Sequence, residues 1–137
     1  MARTAVRVSA LIFRDNKILL FHRFREGSEY WVIPGGGVEE GETVEEALQR
    51  ELWEETSLQL ISCRHAFDYS YVLREGDRIG HFYICQTQGE PMLGDGPEKL
   101  SSSELNQYIL TWVPVNDLDK LTSLYPSVAS EIKTLLS

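Results

Sequence analysis

The sequence predicts a mixed α/β (α+β) fold, a sheet of several strands covered by two or three helices, and three observations lead there. β-Branched and aromatic residues recur in short runs bounded by turn residues, at 6–13, 18–23, 30–33, 62–73, 78–88 and 108–113. One stretch, 43–56, consists of strong helix formers. The chain has 137 residues, 42% hydrophobic and 25% charged, which is material for one core and predicts one domain over 1–137.

Taken in order, the opening MARTAVRVSALIF reads as a strand, since it lacks the basic cluster and cleavage site of a secretory leader. Residues 6–13 and 18–23 form a hairpin closed by an Asp15-Asn16 turn. The short piece 30–33 is stopped by Pro34 and three glycines, which are not expected to join a regular element. A helix follows over 43–56, its start set by Thr43 and Glu46 at capping-box spacing. Residues 62–73 and 78–88 flank Arg74-Glu75-Gly76-Asp77, a second hairpin signal. The Gly-, Pro- and Ser-rich 89–103 reads as a loop, and 108–113 as a strand ended by Pro114. Pro126 suits the first turn of a last helix, on which Val128, Ile132 and Leu135 have helical spacing.

Composition narrows the function. A formal charge of −8 argues against a partner such as a nucleic-acid polymer, because counterion displacement needs a basic surface. No apolar run reaches the roughly 18 residues of a membrane span. Cys63 and Cys85 have no metal-type spacing and read as free thiols packing as small hydrophobes, so the expected location is cytoplasmic. Whether the chain is a monomer or a homodimer is left open.

The informative helix is the one at 43–56. On a wheel of about 100° per residue, Val44, Ala47 and Leu48 make the core stripe, and the same stripe runs on into Glu51, Glu54 and Glu55. These carboxylates stand at i, i+3 and i+4, so they converge. At about 4 Å two like charges cost roughly 1 kcal/mol in water and about 4 kcal/mol at an effective dielectric near 20. A hard divalent cation with oxygen ligands relieves that repulsion, which makes the cluster a candidate Mg²⁺ or Mn²⁺ site. The alternative is a solvated acidic face. The glycines just before the helix weigh against it, because they allow close backbone approach and expose carbonyls to a metal or N–H groups to phosphate.

From Gly36 the chain reads G-G-V-E-E-G-E-T-V-E-E-A-L-Q-R-E-L-W-E-E-T-S-L. It resembles the Nudix box: Gly36, five residues, Glu42, seven residues, Arg50-Glu51, apolar Leu52, one residue, Glu54-Glu55, one residue, a glycine position and apolar Leu58. Only the glycine position departs, being Ser57. The resemblance implies an α/β/α sandwich around a mixed sheet, with the box as a loop–helix–loop motif. It also implies hydrolysis of a nucleoside diphosphate linked to a further moiety, with Mg²⁺ required and Mn²⁺ possible. Carried over by position, Glu51, Glu54 and Glu55 are expected metal ligands with the Gly36 carbonyl, while Arg50, partnered by Glu42, orients the glutamates. A helix end of this kind prefers a left-handed glycine, so Ser57 bears on the end geometry and not on the ligands.

Water attack on phosphorus needs a general base, for which Glu51 or Glu54 serves within the box. Some members of the family use a loop glutamate instead, and Glu104 is the candidate, with Glu98 behind it. Arg23, Arg25 and the Gly37 backbone are the expected phosphate contacts. Phe24, Tyr30 and Trp31 are candidates for stacking on a base, though Trp31 suits the core equally. His22, His65 and His81 lack ligand spacing and read as structural. The substrate expected is a nucleoside triphosphate or similarly small nucleotide; the alternatives are ADP-ribose, a dinucleoside polyphosphate, or a non-catalytic module that senses a nucleotide. An EF-hand-like calcium module lacks its Asp and Asn spacing.

Overall fold

The structure, a computed structural model, describes residues 3–73, 76–92, 106–121 and 123–136. Its strands fall into two sheets where the sequence suggested one. Elements run β1 (Arg3–Leu11), β2 (Phe13–Arg14), β3 (Lys17–Arg25), β4 (Ser28–Val32), β5 (Gly35–Glu39), α1 (Val44–Thr56), β6 (Gln59–Leu73), β7 (Gly76–Gln88) and β8 (Asn106–Pro114). A 3₁₀ helix (Val115–Lys120), β9 (Leu124–Tyr125) and α2 (Ala129–Leu135) follow. The first sheet has the order β5-β1-β7-β6, with β1 and β7 parallel and its other pairs antiparallel. In the second, β3 pairs with β2, β4 and β8, and β9 lies parallel to β4.

Alternation along the strands splits the core into two faces. Val8, Ala10 and Ile12 from β1 and its exit, Leu19 from β3 and Cys85 from β7 pack with Ala47, Leu48 and Leu52 of α1. Leu11, Ile18, Leu20 and Phe82 point the other way, onto Val115, Leu118, Val128 and Ile132. Helix α1 therefore covers one side of the sheets, and the 3₁₀ helix and α2 cover the other. Leu48, Leu52 and Leu58 are fully or almost fully buried, and truncating such a leucine to alanine costs about 2–5 kcal/mol.

Three expectations need correction. The Asp15-Asn16 turn exists, with both residues at positive φ (51° and 62°), but it closes β2 onto β3. β1 leaves the hairpin and pairs in parallel with β7, because its two apolar faces are covered only inside the β5-β1-β7-β6 sheet. The glycine run is not irregular: Gly35–Glu39 is a strand antiparallel to β1. Pro126 precedes the last helix, whose N-cap is Val128, so it does not occupy the first turn. Val128 and Ile132 are fully buried as expected, and Leu135 packs against the same cluster. Glu98 and Glu104 lie outside the described residues. Among the described residues no helix is long and apolar enough to cross a membrane.

Candidate active site

Helix α1 is held at both ends by its own sequence. The Thr43 hydroxyl accepts from the Glu46 N–H at 3.1 Å, and the Glu46 carboxylate accepts from the Thr43 N–H at 2.8 Å. This satisfies donors that an uncapped first turn leaves open. At the other end Ser57 takes the left-handed conformation (φ 62°, ψ 14°), and its N–H donates to the Trp53 carbonyl at 3.2 Å. The end geometry that glycine usually supplies is thus kept by a serine, at a cost of roughly 1–2 kcal/mol. The next residue, Leu58, is fully buried, and its N–H donates to the Thr56 hydroxyl at 3.2 Å, which anchors the chain leaving the helix.

The apolar stripe of α1 does turn acidic. Glu51 and Glu55 are only 5% and 7% exposed, whereas Glu54 is about two-fifths exposed at its side chain. The glycine strand closes over them. The Gly35 N–H donates to Glu55 Oε1 at 2.9 Å. A Cβ on Gly36 would stand 2.4 Å from the Glu51 carboxyl carbon, so at this position only glycine leaves the carboxylate where it is. At Gly35 a Cβ would meet the Val8 carbonyl oxygen at 2.1 Å, with φ at +153°. One glycine therefore lets strands β5 and β1 approach, and the next lets the strand approach the helix.

Arg50 ties the cluster to the loop before the helix. Its guanidinium donates to both Glu42 oxygens at 2.8 and 2.9 Å, to Glu51 Oε1 at 2.8 Å and to the Gly37 carbonyl at 3.2 Å. Glu39 and Glu54 stand 3.9 and 3.7 Å away. The bidentate pair with Glu42, and then the bond to Glu51, hold the guanidinium charged well above its ordinary range, although burial opposes this. Glu42 is fixed in turn by the Glu39 N–H at 3.0 Å.

One guanidinium thus faces four carboxylates within 4 Å, with buried Glu55 beside them. The last turn of α1 carries no basic residue, so the negative end of the helix dipole adds to the deficit. Buried carboxylates in such excess need compensation, and an all-oxygen donor set of this kind suits a hard divalent cation. The residues present therefore fit a metal of the Mg²⁺ type.

The other candidates are more scattered. Arg23 lies over the Tyr108 ring at 3.3 Å and near Tyr30 at 5.4 Å, and its Nε donates to the Gln107 carbonyl at 3.2 Å. Arg25 stands exposed at the end of β3. Trp31 is buried and stacked on His22, with centroids 3.8 Å apart, so one face is taken and the ring belongs to the core. Phe24 packs beside His22 at 4.2 Å.

A cavity of about 410 Å³ opens where Arg7, Val32, Tyr69, Tyr71, Phe82 and Tyr125 meet. Ser9 also lines it and pairs in register with Gly35, whose N–H holds Glu55, so the cavity adjoins the acidic cluster through one strand pair. The sequence reading did not single out Arg7, Tyr69 or Tyr71, although Tyr69 and Tyr71 alternate on one strand and so share a face. A larger cavity of about 800 Å³, between the 3₁₀ helix and α2, includes no residue of the acidic cluster.

The NUDIX domain model matches residues 3–135. An uncharacterised Nudix hydrolase of Bacillus subtilis, YvcI, is 32% identical over 107 residues, covering 78% of this chain and 64% of that protein. An ADP-ribose pyrophosphatase of Methanocaldococcus jannaschii is 53% identical over 108 residues, covering 74% of the chain and 63% of that protein. The chain thus spans slightly under two thirds of the length of both relatives. Among solved structures, a MutT Nudix hydrolase from Burkholderia pseudomallei superposes with a TM-score of 0.75 at 26% identity, covering 93% of this chain and 95% of that one. Its sheets flanked by helices are those of the Nudix α/β/α sandwich, and a match running through nearly every element and across the whole acidic helix establishes that this chain belongs to the Nudix family.

Proposed function

We propose that the chain is a Mg²⁺-dependent hydrolase of the pyrophosphate linkage in a small nucleoside diphosphate derivative. The observation that carries this is the buried pair Glu51 and Glu55 beside Glu54, with one guanidinium among more carboxylates than it can neutralise. Glu51, Glu54, Glu55 and the Gly36 carbonyl would hold the metal. When bound, Mg²⁺ supplies positive charge against the phosphate oxygens (Mn²⁺ is a possible substitute). Arg50 and Glu42 are positioning residues that set the Glu51 carboxylate. Glu51 or Glu54 accepts the proton of the attacking water, with Glu104 the candidate from outside the box. Arg23, Arg25 and the Gly37 backbone are proposed for the phosphates, and Arg7, at the cavity, joins them. The tyrosines of the cavity offer faces to a base or ribose.

The substrate proposed is a nucleoside triphosphate or another small nucleotide. ADP-ribose is the second reading, favoured by the name of the archaeal relative and its 53% identity over the matched segment. The residues 1–137 act as one domain, as a monomer or homodimer, in the cytoplasm, where two free thiols fit. Neither a nucleic-acid polymer nor a membrane is proposed as partner.

The test is incubation with nucleoside triphosphates, ADP-ribose, dinucleoside polyphosphates and a short 5′-triphosphorylated RNA, with Mg²⁺ and with EDTA, followed by product separation. Mg²⁺-dependent release of a nucleoside monophosphate from a small substrate is expected, and Glu54→Gln and Glu55→Gln should lose turnover while staying folded. Full activity in either variant sinks the metal-site assignment. Turnover of no panel member with Mg²⁺ or Mn²⁺ points to the non-catalytic sensing module.

A further inference from the structure

The β6–β7 hairpin carries a second group of metal-competent side chains, made of residues that the acidic cluster does not use. His65 and Asp68 are three apart on β6, a spacing that puts side chains on opposite faces of a regular strand. A bulge intervenes. Register passes from His65 opposite Tyr83 directly to Phe67 opposite Phe82, so Ala66 is the extra residue and His65 and Asp68 emerge on one face. Asp68 stands directly across from His81 on β7, which shares that face.

The result is convergent. Asp68 Oδ1 lies 2.6 Å from His65 Nε2 and 2.7 Å from His81 Nδ1, and the three ligand atoms lie within 4.8 Å of one another. The His65 ring is set edge-on against Tyr83, its cross-strand partner, with centroids 5.4 Å apart and planes at 80°. All three side chains reach solvent, with exposures of 48%, 47% and 26% for His65, Asp68 and His81. Hydrogen bonds gain little at such exposed positions, whereas a cation bound by all three side chains can offset the cost of holding them together.

We propose that His65 Nε2, the Asp68 carboxylate and His81 Nδ1 form a surface site for a divalent transition metal ion of the Zn²⁺ class, separate from the glutamate site. Two imidazoles and one carboxylate favour Zn²⁺, Co²⁺ or Ni²⁺, whereas Mg²⁺ prefers oxygen donors alone. An ion with bonds of about 2.0–2.2 Å at tetrahedral angles sets its ligand atoms roughly 3.3–3.6 Å apart, so side-chain rotations that open the two Asp68 contacts by roughly 0.6–1 Å admit it. The exposed side leaves its remaining positions to water.

Titration of the whole protein with Zn²⁺ under excess Mg²⁺, followed by calorimetry, tests this. One Zn²⁺ per chain is expected, retained in Glu54→Gln. In His65→Ala and His81→Ala the ion should bind at least about tenfold more weakly, since even the loss of a group that only orients a ligand costs that much. In the wild type, Zn²⁺ should shift the ring resonances of His65 and His81 and leave His22 in place, a readout independent of how the variants fold. Wild-type affinity in His81→Ala, loss of the Zn²⁺ in Glu54→Gln, or unmoved rings at both histidines would overturn the site.

Discussion

Gly36→Ala separates the position of Glu51 from the stability of the fold. The φ of Gly36 is not among the positive values, so alanine can take its backbone conformation, and only the added Cβ matters. That carbon would stand 2.4 Å from both Cδ and Oε1 of Glu51 and 2.7 Å from Oε2. Ordinary contact is about 3.5 Å, so the carboxylate must retreat by roughly 1 Å. It is the end of a flexible side chain and can do so, but its 2.8 Å bond with Arg50 is lost or stretched. A charge-assisted bond contributes about 1.5–3 kcal/mol, which corresponds to a melting-temperature drop on the order of 5–10 °C for a chain of this size. Turnover should fall about a hundredfold, the effect of misplacing a catalytic group by 1 Å. The assays are kcat with Mg²⁺ on the substrate that the panel identifies, and thermal unfolding without substrate. Gly35→Ala is the contrast: its Cβ would meet the Val8 carbonyl oxygen at 2.1 Å, backbone against backbone, and little folded protein is expected. Wild-type kcat in Gly36→Ala would show that catalysis does not depend on where Glu51 sits. Failure of that variant to fold would show that Glu51 is not the part that yields.

Arg50→Ala leaves part-buried Glu42 and buried Glu51 without their cation, and should cost about 3–5 kcal/mol and nearly all turnover. Added Mg²⁺ should raise the melting temperature of this variant more than that of the wild type; an equal rise in both counts against charge deficit as the cause. Ser57→Gly relieves a left-handed serine and should stabilise by about 0.5–1 kcal/mol in urea unfolding, after the added freedom of the unfolded glycine is subtracted. Its kcat should be unchanged, and destabilisation would mean that Ser57 makes a contact worth more than the strain. Burial pushes the Cys85 thiol from its ordinary 9.0 up to about 12, so alkylation at pH 8 should reach it only on unfolding and should reach Cys63 sooner. The same shift has a linked effect on stability: between about pH 9 and 12 the unfolded thiol loses its proton while the folded one keeps it. The contribution of Cys85 is therefore whole below pH 9 and falls as pH rises, and a Cys85→Ala variant should lose less stability from pH 8 to pH 10 than the wild type.

What the sequence determined by itself is what depends on neighbours along the chain. The capping box Thr43–Glu46, the acidic continuation Glu51, Glu54 and Glu55 and the Asp15-Asn16 turn each lie within one helix or one turn, whereas the Glu42–Arg50 pair was expected only from the resemblance to the Nudix box. Helical and strand periods tie sequence spacing directly to position at that range. The tertiary structure decided the rest. That β1 leaves its hairpin for a parallel place beside β7 depends on which surface can cover both its faces, and nothing within thirteen residues states this. The glycine run looked irregular because glycine propensity is poor in strands. It is a strand because β1 and the Glu51 carboxylate approach so closely that a Cβ does not fit. His65, Asp68 and His81 meet because one bulge shifts the face of β6 by a residue, and the cavity of Arg7, Tyr69 and Tyr125 exists only where three distant segments meet. Contacts of that kind are set by register and packing between segments far apart in the chain, which no local period encodes.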